Sequence, residues 1–469
     1  MTAAQKAPAD GFLLAGSASV DITPNLGVHL AGAVGLYRPA RSVLDPLRAR
    51  ALVLDSDGRR LCFLALDVTI ITADYTARIR QSLFQRFGLV PEAVMIHATQ
   101  THSAPAVGYF MVDDDFPAMP SEFEWLRGSE KVYSAYAVER AIEAVGLALE
   151  ALEPVQIGAG SGIEGRFAFN RRAVKRDGTV AMPGRCWEEP AGPTWIRYLE
   201  GPIDPELGVV CLRGADGRPE ALLLNYTCHP VHVFPAPDVS ADWPGALANE
   251  TCKACGGEAA VLVLNGACGN INPWSPFDPD YIEDHRRMGR EMAATVAKVV
   301  DMLEFRDGAV LDWRVCNVRI PLRHVGADEL MAARAVLDRS PQPVWSDDTH
   351  LAVDPEWTAA ASVVSVHMLE QRAGALDYEV QVLRLGNTAV VGLPGEPFAE
   401  LGLEIKLASP TYPTYIAHCT SHYVGYIPTP EATKRGGHEA ATRYWAKLAP
   451  EAHDLIVAAA VELLQDLFR

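Results

Sequence analysis

Apolar runs that stop abruptly in clusters of polar side chains recur along this chain, and they restrict it to a fold in which buried strands end at a site. In Val94 to Pro105, VMIHATQTHSAP, the run delivers His97, Gln100 and His102. Leu61 to Leu66 ends in Asp67, and Leu222 to Tyr226 leads into CHPVHVF with His229 and His232. Residues 260 to 264 (AVLVL) are followed at once by NGACGNINPW, which displays Asn270 and Asn272, and Ala389 to Leu393 runs into PGEP with Glu396. A short run rich in valine, isoleucine and leucine, punctuated by glycine or proline, reads as a buried strand. The carboxyl ends of such strands are where α/β proteins place ligand and catalytic groups.

The segments between these runs have helical spacing at 74 to 87, 131 to 152, 283 to 304, 327 to 338 and 450 to 468. On the second of these the apolar positions are Val132, Tyr136, Ile142, Val145 and Leu149. Asp57-Gly58 and Gly386-Asn387 mark hairpins, and Phe169 to Gly178 reads as strand and turn. Strand, helix, strand with polar strand ends predicts an α/β fold of mixed sheets with flanking helices, in one domain over residues 1–469. The acidic and aromatic segment GYFMVDDDFPAMPSEFEWLRGSE, from Gly108, has no clean period and reads as a long surface loop, solvated or closing over a site. No internal repeat is visible.

Composition narrows the partners. A net charge of -18 argues against nucleic acid, which needs a basic face. The first residues lack the basic and apolar regions of a secretion signal, and no apolar run approaches a membrane span, so the expected location is the cytoplasm without stable membrane association. The 9 cysteines are scattered and form no disulfide framework, and the Cys252/Cys255 pair has no second pair at zinc-finger spacing. Histidines and a carboxylate delivered by separate strands are the ligand set of a catalytic zinc with an open position for water, although ligands from separate strands follow no local code.

The chain resembles the catalytic domain of the neutral ceramidases, zinc-dependent amidases that cleave the fatty-acid amide of ceramide. The resemblance runs from VDITPNLG at Val20 through DPLRARALVLD at Asp45, TQTHSAP at Thr99, FNRR at Phe169, IDPELGVVCL at Ile203, CHPVHV at Cys228, GACGNINP at Gly266 and GLPGEPF at Gly392 to SHYVGY at Ser421. It covers nearly the whole chain in the family's order, with no counterpart of the C-terminal immunoglobulin-like domain of longer members. It implies one Zn2+ per chain held by His229, Glu396 and Tyr426. The position of the family's first zinc histidine is Gln100 here, which leaves His97 or His102 to take that role. The position of the family's serine is Asn272, an amide that donates a hydrogen bond to an oxyanion but cannot act as a nucleophile. A tyrosine bordering the family's site falls on His438, next to Glu439.

The function expected is metal-dependent hydrolysis of the C–N bond of a linear amide, by a water whose pKa the metal lowers to about 7. Asn272, His102 and Asp242 are the expected catalytic groups. Arg171, Arg172, His438 and Gln100 are expected to bind substrate, and His97, His229, Glu396 and Tyr426 to bind metal. The acidic loop and the net charge favour a small water-soluble N-acyl substrate over ceramide in a membrane. An ester or lactone hydrolase is the nearest alternative, and a non-catalytic ligand-binding descendant is the alternative from another class.

Overall fold

The computed structural model describes residues 12–183, 195–257, 259–278 and 280–469; residues 184–194 of the Pro/Trp-rich stretch lie outside them. Three sheets share one topology. In the first, Leu13–Asp21 pairs antiparallel with Arg48–Ser56, which pairs antiparallel with Arg59–Leu66. The helix Ala73–Phe87 then crosses over, and Val94–Ala98 joins parallel to Arg59–Leu66. The order repeats with Gln156–Ile163, Glu206–Arg213 and Pro219–Tyr226, crossover helix Asp242–Ala254, and parallel strand Ala260–Asn265. It repeats again with Leu311–Pro321, Ala375–Leu385 and Thr388–Gly392, crossover helix Ala399–Ala408, and parallel strand Thr414–Ala417. Each unit closes with a second helix: Lys131–Glu150, His285–Met302 and Ala452–Leu467.

This repeat is absent from the sequence reading. It lives in strand order rather than residue identity, and insertions of different kinds interrupt the units. The small strands Phe169–Asn170 and Ala173–Lys175 interrupt the second, and the helices Ala327–Arg339 and Pro355–Ala373 the third.

The inner faces of the three sheets bury one another. Leu52, Phe63 and Met95 from the first meet Val210, Leu223 and Leu262 from the second and Leu383, Val390 and Tyr415 from the third. Helices bury the outer faces: Ile79, Ala141 and Val145 cover the first sheet, Trp243, Met292 and Val296 the second, and Leu401, Ile456 and Leu464 the third. Strands covered on both sides carry continuous apolar runs, which is why these were the segments most legible in the sequence.

Two sequence expectations are corrected here. On helix Lys131–Glu150, Val132 and Tyr136 face solvent, while Tyr133, Ala137, Ala141 and Ala148 form the buried stripe with Ile142 and Val145. The true face is rich in alanine because the helix lies close on its sheet, and counting only large apolar residues misplaces it. The acidic segment after Pro105 is no solvated loop. Phe116, Phe123 and Trp125 are buried against Val353, Trp357 and Ala361, and the fully buried carboxylate of Asp113 is held by Arg372 at 2.8 Å. Asp114, Asp115 and Glu122 stay exposed. Among the described residues no helix is long and apolar enough to cross a membrane.

Candidate functional site

The parallel strands end on the same side of the three sheets, and the segments leaving them line one cavity of about 580 Å³. The first unit supplies Gln100 and His102, the second Asn272, and the third Glu396, Tyr423, Tyr426 and His438. Glu396 and Tyr426 sit side by side because Glu396–Pro397 pairs in parallel with Tyr426–Ile427, with Glu396 opposite Tyr426. Gly269 lets the neighbouring turn approach: a Cβ there would lie 2.4 Å from the Glu396 carbonyl oxygen. Arg171 reaches the cavity because Phe169–Asn170 pairs with Ile271–Asn272 and sets it beside Asn272.

His229 and Glu396 form the centre, with Nε2 of His229 3.0 Å from Oε2 of Glu396. His229 Nδ1 lies 2.6 Å from the Cys268 carbonyl oxygen and 3.1 Å from that of Ile271. Carbonyls only accept, so Nδ1 carries a proton. Burial, and then the Arg171 charge, lower the His229 pKa and favour the neutral ring, whose Nε2 is a lone pair. Burial opposes the Glu396 anion, but a proton on His229 Nε2, the Tyr423 hydroxyl and the Arg171 charge favour it and hold this carboxyl well below the usual range. Tyr423 donates to Oε1 at 2.7 Å. A neutral Nε2 and a carboxylate oxygen 3.0 Å apart repel unless a proton or a cation lies between them.

That donor pair, with the second ring nitrogen tied to a carbonyl, has the chemistry of two metal ligands and their supporting shell. Among the described residues no group of three or more His, Cys, Asp or Glu side chains has the spacing to hold a metal ion. Further donors would have to come from neighbours, and the Tyr426 phenol, the Gln100 amide and His102 line the cavity with Glu396. The His102 ring lies edge-on to His229, centroids 5.6 Å apart, and its buried Nδ1 has no hydrogen-bond partner. Burial, and then His229, lower the His102 pKa to about 3, so the ring is neutral. Gln100 holds a left-handed conformation at φ 68°, fixed by its N–H donating to the Val68 carbonyl.

Opposite stands a buried guanidinium. Arg171 donates from Nε to Glu439 at 2.8 Å and from Nη1 to the Asn272 Oδ1 at 3.2 Å. It lies over the Tyr426 ring at 5.3 Å, and among the described residues its buried Nη2 makes no hydrogen bond. Burial works against its charge, but Tyr426, Glu439 and Glu396 keep it protonated. With Asn272 Oδ1 occupied by a donor, its Nδ2 is the end left to donate, and among the described residues its one recorded contact is the Met182 sulfur at 3.9 Å. The His438 ring packs edge-on against Tyr426 at 5.6 Å, and burial lowers its pKa. The rest of the wall is apolar, with Ile70, Phe110, Met111, Phe234 and Trp445.

Three expected site residues lie elsewhere. His97 has both ring nitrogens engaged, Nδ1 with the His418 carbonyl at 2.7 Å and Nε2 accepting from the Asn265 N–H at 3.0 Å. It joins the ends of the parallel strands of all three sheets, and it has no free lone pair for a metal. Asp242 is buried against His232 Nδ1 at 2.8 Å and the Val233 N–H at 3.1 Å, away from the cavity wall. Arg172 is spent on Glu439, Glu200 and the carbonyls of Ala432 and Gly436. Sequence reasoning missed Tyr423, although it stands in the same SHYVGY segment as Tyr426. It also gave Glu439 no role, where the structure uses it to hold Arg171 and Arg172.

Three helix-backed sheets around one core, with strand ends converging on this cavity, define the neutral ceramidase fold. Neutral ceramidase from Pseudomonas aeruginosa is similar at a TM-score of 0.71 and 18% sequence identity, over 98% of this chain and 75% of that chain. A ceramidase complexed with C2 is similar at a TM-score of 0.71 and 17% identity, over 98% of this chain and 76% of that one. No family model matches the chain, and no curated protein matches its sequence. The shared architecture is that of the catalytic domain expected from the sequence.

Proposed function

We propose that this chain is a metal-dependent hydrolase of a linear amide, acting on water-soluble N-acyl compounds in preference to ceramide. The observation that carries the reading is the buried His229–Glu396 pair, with Nε2 3.0 Å from Oε2: a proton or a cation lies between them, and we place a zinc ion there. A zinc ion held by His229, Glu396 and Tyr426, with Gln100 completing the set, would supply Lewis acidity and lower the pKa of a bound water.

The chain's own residues do the rest. The Cys268 carbonyl fixes the His229 tautomer, and the Tyr423 hydroxyl fixes the Glu396 carboxylate. Asn272 Nδ2 and Arg171 Nη2 are the donors with spare capacity beside the cavity, and they stabilise the oxyanion as the carbonyl carbon becomes tetrahedral. Neutral His102, whose ring lines the cavity, accepts the proton of the attacking water and returns it to the leaving amine nitrogen. His102 replaces Asp242 in this role, since the Asp242 carboxylate is committed to His232.

The apolar wall takes the acyl group, and a volume of about 580 Å³ suits a short or medium chain rather than a long lipid. Hydrolysis of a short-chain soluble N-acyl compound is compared with that of long-chain ceramide in mixed micelles. The soluble amide is expected to be preferred. A strong preference for micellar ceramide, undiminished by anionic lipid, overturns the substrate assignment.

A further inference from the structure

A second cavity of about 930 Å³ lies on the other side of Tyr423, which lines both. Lys447 also lines it. That residue is only 4% exposed, and its ammonium makes no hydrogen bond or ion pair among the described residues. Its one close partner is the face of the Tyr444 ring, 4.1 Å from Nζ. The nearest carboxylates do not neutralise it. Asp113 is held by both Arg372 and the Tyr444 hydroxyl, and Asp114 acts on Lys447 only through space. A buried ammonium without a counter-ion is costly, and burial pushes its pKa down to about 8.

Arg78, Arg127 and Lys131 also line the wall, each over a tyrosine ring, Tyr75 or Tyr109. Asp74, Asp114 and Glu124 also border the cavity; Asp74 pairs with Arg78 at 3.6 Å and Glu124 with Arg127 at 3.3 Å, while Asp114 makes no ion pair among the described residues. The Lys447 ammonium suits an anionic group, and the tyrosine faces suit an apolar or aryl body attached to it.

We propose that this second cavity binds an organic carboxylate, with Lys447 at its floor as the counter-charge. Such an acid has two sources: the product of amide hydrolysis passing Tyr423, which rests on the function proposed above, or an independent small acid. The probe is octanoate, titrated calorimetrically into the full chain at pH 7, with octanamide as the uncharged control. Lys447→Met should weaken octanoate binding at least tenfold and leave octanamide unchanged, and Lys447→Arg should stay within about threefold of the parent.

Thermal melting supplies an independent reading. Removing an unpaired buried charge should raise the Tm of Lys447→Met, and octanoate should raise the Tm of the parent but not of that variant. Unchanged octanoate affinity in Lys447→Met, or no octanoate binding by the parent, overturns the proposal, as does a lowered Tm in Lys447→Met. Inhibition of amide turnover by octanoate that disappears in Lys447→Met marks a product site. Octanoate binding through Lys447 in a chain that hydrolyses no amide keeps the carboxylate site while the hydrolase reading fails.

Discussion

The backbone N–H of Asn265 donates to Nε2 of His97 at 3.0 Å, while Nδ1 of the same ring donates to the His418 carbonyl at 2.7 Å. One buried imidazole thus ties the parallel strand of the first sheet to those of the second and third. Its fully buried ring is pushed down to a pKa of about 4 by desolvation, so it is a neutral clip at physiological pH. His97→Ala is expected to destabilise the fold by about 2–5 kcal/mol, because a buried donor and acceptor lose their partner. Urea unfolding measures this, and the folded fraction should keep its metal. A stable His97→Ala protein that has lost metal would make His97 a ligand after all.

His102 should behave in the opposite way. Its Nδ1 satisfies no other group, so His102→Ala should change stability little while lowering turnover by about 10² to 10⁴, the range of a proton-transfer group. Steady-state kinetics with matched thermal melts separate the two effects. Full activity in this variant would remove His102 from proton transfer.

Asn272→Ala should lower kcat by about 10² to 10³ and leave metal content intact, the usual effect of losing one oxyanion donor. Arg171 loses its Asn272 contact in the same variant but keeps Glu439 at 2.8 Å, so the fold should survive. Because Asn272 has no nucleophilic oxygen, rapid-quench mass spectrometry should find no acylated protein. An acyl adduct would point to a covalent route.

The strand ends that carry the site were legible because both faces of each strand are buried, which leaves apolar runs that stop sharply at His229 and Glu396. The resemblance then placed Tyr426 beside them. His97 and His102 were indistinguishable in sequence, because what separates them is which backbone groups of other sheets lie within 3 Å, and no local pattern records that. Asp242 misled for a related reason: its partner His232 stands in the same motif as His229, yet the two rings serve different neighbours. The Asp113 segment misled because a run of acids reads as solvated, and the distant Arg372 that neutralises it is invisible locally.

The Asp45–His285 contact predicts how stability depends on pH. Burial opposes the Asp45 anion, but hydrogen bonds from His285 and Ser240 hold its pKa down to about 2, and the contact with Asp45 raises that of His285 against its own desolvation. A depressed carboxylate contributes stability that is lost as pH falls from about 4 toward 2, and a raised histidine contributes stability lost as pH rises through its folded value, above about 6.5. Asp45→Asn should therefore destabilise most between those limits, which denaturant melts across pH 3 to 8 would reveal. A loss that is flat with pH would mean the pair is not ionic.

The central claim is a metal at His229 and Glu396, and its most direct test is the zinc content of protein purified without chelator, beside His229→Ala and Glu396→Ala prepared in parallel. About one zinc per chain is expected in the parent and none in either variant, with amidase activity following the metal. A folded parent that holds no zinc and is not activated by adding it, or a variant that keeps its full complement, would contradict it.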